Sequence, residues 1–155
     1  MRKILIGVAL MVSWGDAMSA SAQTVDKKTL SFEGATNVAA KAAAARARGV
    51  GVVIAVVDDG GHLILLHRLD DTQVASVNVG IGKARTAAIY RRPSRDFEEQ
   101  IRGGRVAALG LADSTPLQGG IPIKLDGKVI GAIGVSGDTP QVDEAIAIAG
   151  ATAFK

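Results

Sequence analysis

His62 and His67 stand five residues apart in an apolar run that ends in Arg68. An imidazole titrates near neutral pH and can give a single axial bond to a haem iron. The guanidinium of Arg68 suits a carboxylate or a haem propionate. Five residues along an extended strand put the two imidazoles on opposite faces, so they cannot clamp one metal ion from the same side. The chain has no HExxH motif and no dense His/Asp cluster. It also has no cysteine, which excludes thiol ligation, thiol catalysis and disulfides. Asp58, Arg68 and Asp70 flank the same run, and Lys83 and Thr86 follow on the next helical segment. A charged group beside a helix N-terminus is one way to hold a small anion. In an enzyme acting on a small anionic substrate, Asp58 or Asp70 would carry the proton, with Arg68 or Lys83 as anion anchor. As plain surface pairs the same charges are worth little.

The glycine motifs fail as nucleotide or nucleophile sites on context. Gly80-Ile-Gly-Lys83 lacks the first glycine of a phosphate loop and has Ala84 where Ser or Thr belongs. Gly49-Val-Gly51 precedes its strand instead of following it, and Gly134-Val-Ser-Gly-Asp138 is not a nucleophile elbow. Gly134 is informative in another way. With strict alternation, Ile130, Ala132, Gly134 and Ser136 share a face that is flat at its end, where an alanine-rich helix, a flat ligand or a neighbouring subunit approaches the backbone.

Two hairpins position these residues. Val52–Val57 and His62–Arg68 are apolar runs joined through Asp58-Asp-Gly-Gly61, and 121–125 and 128–136 are joined through Asp126-Gly127. Helical spacing predicts a first helix over Leu30–Arg48, burying Phe32, Ala35, Val38, Ala39 and Ala42, with Gly49 as a left-handed cap. A second helix, capped by Asp70, Asp71 or Thr72, runs to Arg91-Arg-Pro93, where proline forbids continuation. Ser94 caps a third, in which Glu98 and Arg102 have the supportive i, i+4 spacing; Val106–Leu111 reads as a short strand or a helical turn. Thr139 and Pro140 open a last helix with Val142, Ala145, Ile146, Ala149 and Ala153 on one face. Hairpins interleaved with helices predict an α+β domain: a three-layer α/β/α arrangement, with an antiparallel sheet of about five strands and helices on both faces.

Arg2 and Lys3, the apolar stretch Ile4–Val12 and Ala20-Ser-Ala22 read as a secretory signal peptide over residues 1–22, leaving 23–155 as one domain in the periplasm or exterior. Between Lys83 and Arg105 seven basic residues meet three acidic ones, which reads as a solvated helix surface. Nucleic acid is a poor partner, because Phe32, Tyr90, Phe97 and Phe154 are the only aromatics left to stack bases.

Several motifs in order resemble one family. Val56-Val-Asp-Asp-Gly-Gly-His-Leu63, Arg68-Leu-Asp70, Lys83-Ala-Arg-Thr-Ala87, Gly119-Gly-Ile-Pro-Ile123 and the segment from Asp126 to Gly137, with Asp143, look like the GlcG/HbpS family of haem-binding and glycolate-operon-associated proteins. The resemblance covers nearly all of 23–155. It implies a profilin-like sheet, homo-oligomers that are often octamers, and a pocket to which Asp58, Asp70, Lys83, Thr86, Gly119 and Gly120 would contribute. For exported members it implies binding of haem or iron and service beside membrane receptors; for a few others, lyase or isomerase chemistry. The leader places this chain with the exported group, and the accessible positions of His62, His67 and Arg68 make binding of haem b without turnover the expected role. The alternatives are the enzyme above and an oligomeric structural or signalling subunit whose flat strand face serves assembly. Leu69 stands where the family's arginine motif usually continues with methionine, which removes a soft iron ligand.

Overall fold

The computed structural model describes residues 23–46 and 49–154. The predicted leader lies outside them. The elements run α1 (Phe32–Ala45), β1 (Val53–Asp58), β2 (Leu63–Arg68), α2 (Ser76–Ile89), α3 (Arg95–Arg102), a 3-10 turn (Val106–Gly110), β3 (Gly120–Leu125), β4 (Lys128–Ser136) and α4 (Pro140–Ala151). The α+β class and the antiparallel sheet are as expected from the hairpins. The sheet has four strands among the described residues, in the order β2-β1-β4-β3, one short of the expected five. The segment at 106–110 turns as a 3-10 helix instead of supplying another strand.

β1 is central, and its run Val53–Val57 is buried throughout because both of its faces are covered. Ile54 and Val56 enter a core with Ala35, Val38, Ala39 and Ala42 of α1, and with Ile146 and Ala147 of α4. Ala55 and Val57 point the other way, toward Ala84, Ala87 and Ala88 of α2. Each fully buried Val or Ile side chain contributes about 1.5–3 kcal/mol relative to exposure, so this strand anchors both cores.

Gly134 is explained by α2. A Cβ built there would stand 2.2 Å from the Gly80 carbonyl oxygen and 2.5 Å from the Ala84 nitrogen. The alanine-rich helix therefore occupies the flat face. Strict alternation fails earlier in β4. Ile123 pairs with Gly131 and Lys124 with Val129, so Ile130 is the extra residue of a bulge. It joins Ile133 and Val135 in the α1 and α4 core instead of lining up with Ala132.

Other expectations shift by part of a helical turn. Ser31 caps α1, its hydroxyl accepting from the Gly34 N–H at 3.1 Å, but Phe32 points outward and is 66% exposed. α2 has no side-chain cap, and Val74 lies outside it on the surface. Thr139 caps α4 as expected, its hydroxyl accepting from Val142 N–H. That helix, however, buries Asp143, Glu144, Ile146, Ala147 and Gly150, while Val142 and Ala145 face outward.

The two sheet edges differ. β3 carries Pro122, which offers no N–H, and the exposed Lys124; both discourage further strand pairing. β2 carries Leu63, Ile64, Leu65 and Leu66, partly or fully exposed, with neither proline nor lysine.

Candidate functional site

The predicted site residues fall into two places. The outer group sits on hairpin one. Asp58 builds its turn: one carboxylate oxygen accepts from the Gly60 and His62 N–H groups, each at 2.9 Å. An Asp58→Ala substitution, which leaves both donors without that partner, should lower stability by about 1 kcal/mol, read as a shift in the urea midpoint. His62 is exposed, and its ring folds back against Gly60, where a Cβ would meet Cδ2 at 3.1 Å. His67 is half-buried and pairs across the ladder with Ile54, so it lies on the α1 side of the sheet. Arg68 pairs with Val53 and points to the α2 side, exposed, with Nη2 donating to the Thr72 carbonyl at 3.3 Å.

Arg68, Leu69, Asp70 and Asp71 line an open cleft of about 560 Å³. Asp71 holds a left-handed backbone (φ 60°) that tightens the turn after β2. At the other end of the hairpin, Lys27 pairs with Asp59. Burial pushes the Asp59 carboxyl up, but hydrogen bonds from Lys27 and Thr29, together with the Lys27 charge, outweigh it and hold it below the usual value. The segment before α1 is thereby tied to the turn that presents His62.

The inner group is a buried polar network. Lys83 Nζ donates to Asp143 Oδ2 at 2.9 Å and to the Val135 carbonyl at 3.0 Å, with both side chains at most 5% exposed. Asp143 Oδ1 accepts in turn from the Asp138 N–H at 3.0 Å. Lys83 thus joins α2, β4 and α4 and is turned away from any anion on hairpin one. Thr86 accepts from the Thr115 N–H at 2.7 Å and so fixes the loop before β3. Gly119 and Gly120 are close-approach positions: a Cβ would meet Lys83 Nζ at 3.0 Å in the first, and the Lys83 carbonyl oxygen at 2.2 Å in the second.

Three residues outside the predicted site complete this network. Ser94, expected as a cap, instead donates to the Leu117 carbonyl and accepts from the Gly120 N–H. Gln118 donates through its side chain to Glu144 and through its backbone N–H to Glu98. Glu144 also takes Arg95 at 2.8 Å, and its Oε1 is buried without a hydrogen-bond partner. The signal was present: adjacent acids inside an Ala/Ile-rich helix need distant basic partners. Most of the basic stretch is used up in this way. Lys83, Arg95 and Arg102 are ion-paired, Arg85 bonds the Gly61 carbonyl, Arg105 bonds Gln100, and Arg92 lies over the Phe97 ring.

With the geometry in view, the sequence matches the family model described as "Haem degrading protein HbpS-like" over residues 30–152. The chain belongs to the GlcG/HbpS-like family. Protein GlcG of Escherichia coli K12 is 47% identical over 85 residues, an alignment that spans 55% of this chain and 63% of that protein. A double mutant of Streptomyces reticuli HbpS superposes with a TM-score of 0.78 at 26% identity, covering 99% of both chains. The PduOC:haem complex superposes with a TM-score of 0.74 at 23% identity, over 82% of this chain and 96% of that one, and shows a shared fold.

The donor set on hairpin one fits a haem. It supplies an exposed imidazole at His62 and, on the α2 side of the sheet, the exposed guanidinium of Arg68 and the apolar side chains of Leu63 and Leu66. Among the described residues no group of three or more His, Cys, Asp or Glu side chains is arranged to hold a bare metal ion.

Proposed function

We propose that this protein binds haem b on hairpin one and handles it without turnover, as an exported homo-oligomeric accessory protein that serves a membrane receptor. The exposed imidazole of His62, at the end of a half-exposed apolar edge strand, carries the reading. His62 would ligate the iron through its imidazole, Leu63 and Leu66 would contact the ring, and Arg68 would pair with a propionate. His67, half-buried on the α1 side, is the weaker candidate. When bound, haem would supply a redox-active iron, and the chain's residues would hold and orient it. The family description and the haem held by the PduOC structure support a haem ligand. The unguarded β2 edge supports assembly of copies.

Haemin titrated into the 23–155 chain should develop a sharp Soret band at one haem per chain. The band should weaken at least tenfold in apparent affinity on His62→Ala and change little on His67→Ala. An unchanged spectrum in the double variant would remove both histidines from the site. Bleaching of the band over time would mark turnover and overturn the binder reading.

One observation favours a second reading, an enzyme on a small anionic aromatic substrate: Arg68 and Asp70 line the same cleft. Asp58 and Lys83, the other candidates for that chemistry, are engaged in the turn and in the core.

A further inference from the structure

We propose that a second ligand site, for a small two-ring or similarly compact monocarboxylate, lies between α3 and the loop that precedes β3. A groove of about 480 Å³ runs there, lined by Ile101, Leu109, Pro116 and Leu117, with Ser114 and Thr115 on the loop side and Glu98 and Arg102 on α3. That is roughly three times the 150 Å³ of a cavity that takes one benzene ring, and within the range of small-ligand pockets. Its apolar walls are open to solvent: Leu109 is 64% exposed and Leu117 45%.

The charge at the rim selects the head group. Both oxygens of Glu98 are committed, one to Arg102 and the other to the Gln118 N–H. Arg102 engages Glu98 through Nη2 and its side chain is 67% exposed at the groove rim, so its other N–H donors are open to solvent there. A planar fork of free donors beside an apolar trough matches a carboxylate attached to an apolar body.

The loop wall is built before any ligand arrives. Thr86 holds the Thr115 N–H, Ser94 holds the Leu117 carbonyl, Tyr90 donates its hydroxyl to the Ala112 carbonyl at 2.7 Å, and Gln118 is clamped by Glu98 and Glu144. A wall fixed in this way has little ordering entropy to lose on binding. This groove shares no residue with hairpin one, so the two sites stand or fall separately.

The test is calorimetric titration with naphthalene-2-carboxylate and with its neutral analogue 2-acetylnaphthalene. One carboxylate should bind per chain. Leu109→Asn should weaken both ligands at least tenfold, and Arg102→Gln should weaken the carboxylate about tenfold while leaving the neutral analogue unchanged. Both side chains are exposed, so both variants should melt within a few degrees of the parent; Leu117→Asn serves if Leu109→Asn does not. Haemin binding by these variants should match the parent. No heat with the parent protein, parental affinity in the leucine variants, or an equal loss of both ligands on Arg102→Gln would each overturn the site.

Discussion

Lys83→Ala should cost about 3–5 kcal/mol of stability, the loss expected when one partner of a buried ion pair is removed and the other is left uncompensated. Against a total of about 5–15 kcal/mol for a domain of ordinary stability, that takes the protein close to unfolding at ambient temperature. The stranded group is the Asp143 carboxylate, 3% exposed, whose other oxygen is already committed to the Asp138 N–H. The Val135 carbonyl loses the Lys83 donor at the same time. Combining Lys83→Met with Asp143→Leu should recover most of the loss, since an apolar pair of similar volume avoids burying any charge. Urea unfolding of Lys83→Met, of Asp143→Leu and of the double variant closes the cycle. A single variant with the parental midpoint would show that the pair does not hold α2, β4 and α4 together.

Gly134→Val should be at least as damaging. Its Cβ alone would stand 2.2 Å from the Gly80 oxygen and 2.5 Å from the Ala84 nitrogen, and both are backbone atoms that no side-chain rotation can clear. α2 would have to lift from the sheet, opening the contacts of Ala84, Ala87 and Ala88 with Ala55, Val57 and Ala132. The cost should exceed the roughly 1–3 kcal/mol typical of overpacking. It should appear as loss of the cooperative thermal transition, or as insoluble protein. Gly134→Ala should be intermediate. Gly110→Ala, where a Cβ meets nothing within 4 Å, should melt like the parent. A cooperative transition at the parental temperature in Gly134→Val would mean that α2 does not pack as described.

The strands were legible because β-branched runs and Asp-Gly or Gly-Gly turns are local signals, and a hairpin needs nothing from elsewhere in the chain. The tight face at Gly134 was legible for the same reason. Helix faces were less so. The rule of apolar spacing put Val142 and Ala145 of α4 inside, but the helix turns Asp143 and Glu144 inward because Lys83, Gln118 and Arg95 wait there. Lys83 and Asp143 are sixty positions apart, and no spacing rule joins them. Ile130 escaped alternation through a bulge, which inserts one residue and reverses the facing locally. Of the predicted site, hairpin one kept His62, Arg68 and Asp70 at the surface, whereas Lys83, Thr86, Gly119 and Gly120 went to the interior. Motif matching marks such residues without distinguishing a ligand contact from a packing contact, since both demand one residue type in one place.

The contrast between the two margins of the sheet has a consequence for how far the protein can polymerise. If two chains join along β2, their sheets merge into one ribbon of eight strands, and both outer borders of that ribbon are then β3, each carrying Pro122 and Lys124. A third chain finds no open border. Strand-to-strand growth is therefore self-terminating at a pair, which lets an edge as apolar as Leu63–Leu66 be used for association without a route to fibres.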